Sequence, residues 1–232
     1  MRLFLLLFNI TGGIRRWGWK WNNVWGDCVA AAVEDLRTAK ATTAQSTWRK
    51  VLYRFGFRPP GDFYTRDLYV QYLATIGEKP GPTVGLDPGS FLAWLKANGH
   101  IIEWANIPVG ATTGADDAAK AGAEFRGAIL TLELTGNMYN RDFFSNRPWG
   151  LDGNAGDTPV PTLFHEVALV RTVENYNVIA TWNQNKLMTL PCADLTTRAI
   201  HVFLTEEDKA DPRFDSMLTA MQAAASLPYG RY

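Results

Sequence analysis

The chain has 232 residues, 47% of them hydrophobic and 20% charged, a balance that excludes a disordered, collagenous or coiled-coil protein. Lys and Arg number 23 and Asp and Glu also number 23, so bulk positive charge is not what binds this protein to anything, nucleic acid included. Two cysteines, Cys28 and Cys192, are too few for a disulfide framework and point to a reducing compartment or to cysteine used chemically.

The first element is an apolar run of six residues, Leu3 to Phe8. A secretory core needs roughly 7–15 apolar residues and a membrane-spanning helix about 20, so the run reads as a strand or arm that packs on another chain. Residues 1–16 are therefore set apart as an N-terminal arm, and no other stretch is long enough to span a membrane. Residues 1–58 carry 10 Lys/Arg against 3 Asp/Glu, while residues 59–232 carry 13 against 20. Trp17, Trp19, Trp21, Trp25 and Trp48 fall in the basic part. Basic charge interleaved with Trp suits nucleic acid or a membrane surface. The simpler reading is a segment that docks on an acidic neighbour or on the acidic remainder of its own chain.

Trp17 to Asp27 is rich in Gly, Asn and Trp and reads as a loop. Beyond it, Val29, Ala32, Val33 and Leu36 recur on one helical face, with Asp27 in an N-cap position, so a helix is expected from Cys28. Further helices are expected over Thr47 to Tyr53, Phe63 to Ile76 (closed by Gly77), and Asp87 to Asn98, with Pro88 in the first turn and Gly99 as the stop. Ile101 to Ile107 reads as a strand, Asp116 to Glu124 as a helix and Gly127 to Leu134 as a buried strand. Gly136 to Thr162 is a long irregular stretch, of the kind that usually carries function. His165 to Val173 and Val178 to Asn183 alternate around a turn signature, and Lys186 to Leu190 and Ala199 to Leu204 add two strands. A polar tail begins at Glu206 and runs into a short Met/Ala helix. The expected fold class is α+β, with a helical first half and an antiparallel second half spanning residues 17–205, followed by a tail over 206–232.

Cys28 opens its helix, where free N–H groups and the helix dipole favour a thiolate. A cysteine nucleophile also needs a base and a group that orients the base. His165 opens one strand and Asn183 closes the next. A three-residue loop, Glu174 to Tyr176, would put Asn183 opposite Val167 and on the face of His165, whereas an even loop would separate them unless a bulge intervened. His201 competes with His165 but lies among apolar neighbours, as a core histidine does. His100 follows a helix stop. Asp152, Asn154 and Asp157 resemble the start of a calcium loop, but the closing Glu is missing, so neither a metal nor a cofactor is expected.

A helix-initial Cys, a distant strand-initial His and an Asn beside Trp on the next strand resemble a papain-like cysteine peptidase. The WGDC stretch, the helix after it, the strand from His165 and the TWN segment look most like papain-like proteins encoded by bacteriophages. That resemblance implies an oxyanion-hole amide six residues before the nucleophile, which is Asn22 here, with Asn23 as a neighbouring candidate. It departs from the family in lacking a Cys-Trp or Asn-Ser-Trp-Gly run and in having Phe164, not Gly, before the His. The expected activity is a thiol hydrolase, a peptidase or amidase, with Cys28 attacking, His165 as base and Asn183 orienting the imidazole. Its substrate would be a virion precursor or peptidoglycan-like peptide, and its place the phage particle. The alternative is a structural capsid or tail protein that uses the same fold without catalysis and meets other virion proteins through its N-terminal arm.

Overall fold

The computed structural model describes residues 26–44, 65–81, 84–110, 114–143, 145–181 and 184–225. Helix α1 runs over Cys28–Ala44, with the Asp27 carbonyl accepting the Ala31 amide to close the first turn. Helices α2 (Thr65–Thr75) and α3 (Pro88–Ala97) follow. Asp87, expected as the first residue of this helix, is its cap, its side chain accepting from the Ser90 amide at 2.6 Å. The expected helix over Thr47 to Tyr53 lies outside the described residues.

Strand β1 (Glu103–Ile107), helix α4 (Gly114–Glu124) and strand β2 (Ala128–Thr135) lead into the irregular stretch. That stretch is more ordered than its composition suggests. It holds a π-helical turn at Met138–Asp142 and a 3-10 turn at Ala155–Asp157 before β3 begins at Pro159. Strands β3 (Pro159–Val173), β4 (Tyr176–Thr181) and β5 (Gln184–Thr189), helix α5 (Leu190–Thr196), strand β6 (Thr197–Leu204) and helix α6 (Phe214–Ala225) complete the chain. The six strands pair antiparallel in the order β1-β6-β2-β3-β4-β5. The class is mixed α and antiparallel β.

Both faces of the sheet are covered. Leu130, Leu132, Val167, Leu169 and Val202 point into a core shared with α4, α5 and α6. Ile129, Ala168, Ala180 and Phe203 point the other way, into a core shared with α1, α2 and α3. The alternation of a strand produces this division. Gly127 is what lets α1 lie so close: a Cβ there would stand 2.5 Å from Leu36 Cδ2, at φ +122.

The β3–β4 hairpin turns on two residues, Glu174 and Asn175, not three, with Val173 paired to Tyr176. A register shift between Leu169 and Arg171 then restores the parity that a three-residue loop would have given. The segment after Glu206, set apart in the sequence as a tail, is instead part of the fold. Met217 and Met221 of α6 lie in the first core. Asp208 is buried against Lys40 of α1 at 2.9 Å, with Arg126 Nη1 at 3.1 Å on its other oxygen.

Candidate functional site

Gly26 and Asp27 bring the chain into α1 at one spot on the sheet. Gly26 has φ +67, and a Cβ there would stand 2.5 Å from the Val84 carbonyl oxygen, so only glycine fits. Cys28 follows, and its Sγ–H donates to Glu166 Oε2 at 2.5 Å. Glu166 lies on β3 opposite Thr131 of β2, two residues before Ala168, on the face that α1 covers.

The electrostatics of this pair oppose each other. Burial pushes the Glu166 carboxyl up to about 7, with a further upward push from the Asp87 carboxylate and a downward one from the Cys28 hydrogen bond. Burial also raises the Cys28 thiol well above its ordinary value, and the adjacent Glu166 charge adds to this. The Val29 amide at the helix start works the other way, favouring the anionic sulfur, but does not prevail. The resting pair above neutrality is therefore a neutral thiol donating to a carboxylate.

His165 is not part of that pair. It is the residue next to Glu166, so alternation sends it to the opposite face, with Leu163, Val167 and Leu169. There its Nε2 is hydrogen-bonded to Thr181 Oγ1 at 2.7 Å, and its ring lies 5.3 Å from that of Phe143. Burial lowers its pKa to about 3, so the imidazole is neutral. The expected convergence of Cys28 with His165 is thus replaced by convergence of Cys28 with Glu166. Asn183 and Asn22, with Asn23, lie outside the described residues.

His201, expected as a core histidine, and Asp87 share the Cys28 side. His201 is paired with Ile129 and Asn106 and sits on the face of Phe203, its pKa lowered to about 4 by burial. Asp87, at the start of α3, is near enough to raise both His201 and Glu166. The signal that placed Glu166 and His201 on that side was the alternation of the strands: Val167 and Leu169 in HEVALV, and Ile200, Val202 and Leu204 in AIHVFL, define the other face.

The acidic loop satisfies itself. Asp157 Oδ2 accepts from the Gly153 and Asn154 amides at 2.6 and 3.2 Å, and Asp152 pairs with Arg141 at 2.5 Å. Among the described residues no cluster of His, Cys, Asp and Glu could hold a metal ion. No described helix is long and apolar enough to cross a membrane.

No protein-family model matches the chain, and neither a curated protein nor a solved structure was found to match it.

Proposed function

We propose that this protein is a thiol-dependent hydrolase of peptide or amide bonds, built on a papain-like plan and carried in a bacteriophage particle, with Cys28 as the nucleophile. The observation that carries the reading is the Cys28 thiol, at the first residue of α1, hydrogen-bonded to a buried carboxylate on a central strand. A nucleophile within hydrogen-bond reach of a proton acceptor is the basic unit of covalent acyl transfer. The α1 N-terminus supplies amides where negative charge develops. The substrate class is a peptide of a virion precursor or of the cell wall.

A peptidyl acyloxymethyl ketone tests the reading, because it alkylates a nucleophilic cysteine irreversibly. Intact mass spectrometry should show one adduct at pH 7.5 that disappears in Cys28→Ser. Absence of any adduct at that pH would leave the protein without a working nucleophile.

A second reading has its own support in the position of His165 on the far face and in the raised thiol. In it the same fold is a non-catalytic capsid or tail component, and Leu3 to Phe8 dock on a neighbouring virion protein. Deleting residues 1–10 would then abolish incorporation into the particle while leaving the rest folded.

A further inference from the structure

We propose that Glu166, and not an imidazole, is the proton acceptor for Cys28. The inference rests on the reading of Cys28 as a nucleophile and names the residue that would make it one.

The geometry narrows the candidates. Glu166 Oε2 is 2.5 Å from Cys28 Sγ, within the reach a general base needs. Strand parity takes His165 to the opposite face, where it bonds Thr181. His201 is on the right face, but it lies across two strand boundaries from Glu166: β6 pairs with β2, and β2 with β3. Glu166 itself is only 8% exposed, so its carboxylate is not dispersed into water and its hydrogen bond to the thiol is a strong one.

The charged and titratable groups around the pair come from each element packed against it. Cys28 approaches from α1, Asp87 from the start of α3 and Tyr69 from α2, whose hydroxyl is pushed up to about 12 by burial, Asp27 and Cys28. Thr131 is the neighbour on β2, and His201 on β6 is kept neutral by burial. Burial and the adjacent Glu166 charge keep the Cys28 thiol protonated at rest, so its proton leaves during attack. In that step the S–H bond breaks, the proton passes to Glu166 Oε2 and sulfur bonds the carbonyl carbon, whose π electrons move to oxygen. Collapse expels the amine, which takes the proton back from Glu166 and leaves a thioester. Water then adds to the thioester with Glu166 again accepting the proton, releasing the acid and the thiol.

The site's pH dependence would then follow a carboxyl group near neutrality. Rates of Cys28 adduct formation with the peptidyl acyloxymethyl ketone, measured from pH 5 to 10 by intact mass, test this in the wild type, Glu166→Gln, Glu166→Asp and His165→Gln. The expected wild-type rate rises through about pH 7. It should fall on the order of 10²- to 10⁴-fold at pH 7.5 in Glu166→Gln, with partial recovery in Glu166→Asp and no change in His165→Gln. Melting curves at the same pH show whether each variant is folded. An adduct at Cys28 that forms equally fast in Glu166→Gln, or that is lost in folded His165→Gln, overturns the assignment and leaves Cys28 as nucleophile. A wild type that gives no adduct at all overturns both.

Discussion

Cys28 and Glu166 stand 138 positions apart in sequence and meet through a hydrogen bond of 2.5 Å from Sγ to Oε2. The contact joins the start of α1 to a central strand and places a thiol and a carboxyl where burial disfavours the charged form of each. Two buried acids sharing one hydrogen bond cannot both ionise cheaply, so the pair holds a proton over a wide pH range. The residue beside Glu166, His165, has the expected chemistry but the opposite direction.

Glu166 should lower stability as the solution becomes more alkaline. Its carboxyl rises from an ordinary 4.5 to about 7 in the folded state, so the folded protein holds that proton more tightly than the unfolded chain. Stability is then highest with respect to this group below pH 4.5 and falls through the window up to 7, by about 3 kcal/mol in total. Glu166→Gln keeps an acceptor for the thiol and removes the charge. Urea denaturation at pH 5 and pH 8 should show the variant gaining on the wild type at the higher pH only.

His165 and His201 act on the acid side with the opposite sign. Their folded pKa values, about 3 and about 4, lie below the ordinary 6.5, so their contribution is complete above 6.5 and is lost as pH falls. His165 alone should cost about 2–3 kcal/mol between pH 6.5 and 4.5. His165→Gln should therefore show a shallower loss of urea midpoint over that interval than the wild type.

Gly26→Ala should disturb the site through the backbone. The residue sits at φ +67 and its new methyl would press on the Val84 carbonyl at 2.5 Å, which is rigid backbone. A left-handed conformation costs an L-residue roughly 1–2 kcal/mol before the collision is counted. The melting temperature should fall, and alkylation of Cys28 should lose its dependence on Glu166 as the start of α1 moves off β3.

The far end of α1 carries a separate constraint. Lys40 Nζ donates to Asp208 Oδ2 at 2.9 Å and to the Phe203 carbonyl at 2.5 Å, with both charged side chains almost wholly buried. Asp208→Ala removes the buried carboxylate that this ammonium, Arg126 and the Thr205 amide share and should cost about 3–5 kcal/mol. Lys40→Met combined with Asp208→Ala should recover part of the loss in chemical denaturation, because the buried ammonium goes with the carboxylate, while Arg126 still loses Asp208 and keeps Asp211.

The caps and strand alternations were legible in the sequence because they are local. Asp87, Pro88 and Gly99 bound α3 as expected, and HEVALV forms a strand whose successive residues face opposite ways. What local chemistry does not encode is which helices cover which face. Both faces of this sheet are buried, so the apolar run from Val167 to Leu169 shows no polar side to mark where α1 lies. His165 was placed beside Cys28 on sequence order, and only the packing of α1 over Ala168 selects Glu166 instead. The hairpin reached the expected parity by a different route, a two-residue turn with a bulge. Helix α5 escaped detection because its seven residues, with Pro191 in the first turn, are too few to show a period. The Met/Ala helix after the polar start of the tail was legible as a helix, but not its docking, because composition alone does not show that Met217 and Met221 bury in the core.

The central claim is that Cys28 rests as a neutral thiol bound to Glu166. Infrared difference spectra between the wild type and Cys28→Ser isolate the S–H stretch of this cysteine from that of Cys192. The band should persist from pH 5 to above pH 8 and shift as the Glu166 carboxylate forms near pH 7, with no such shift in Glu166→Gln. Loss of the S–H band at neutral pH, accompanied by protonation of His165, would instead show a thiolate–imidazolium pair and contradict the account.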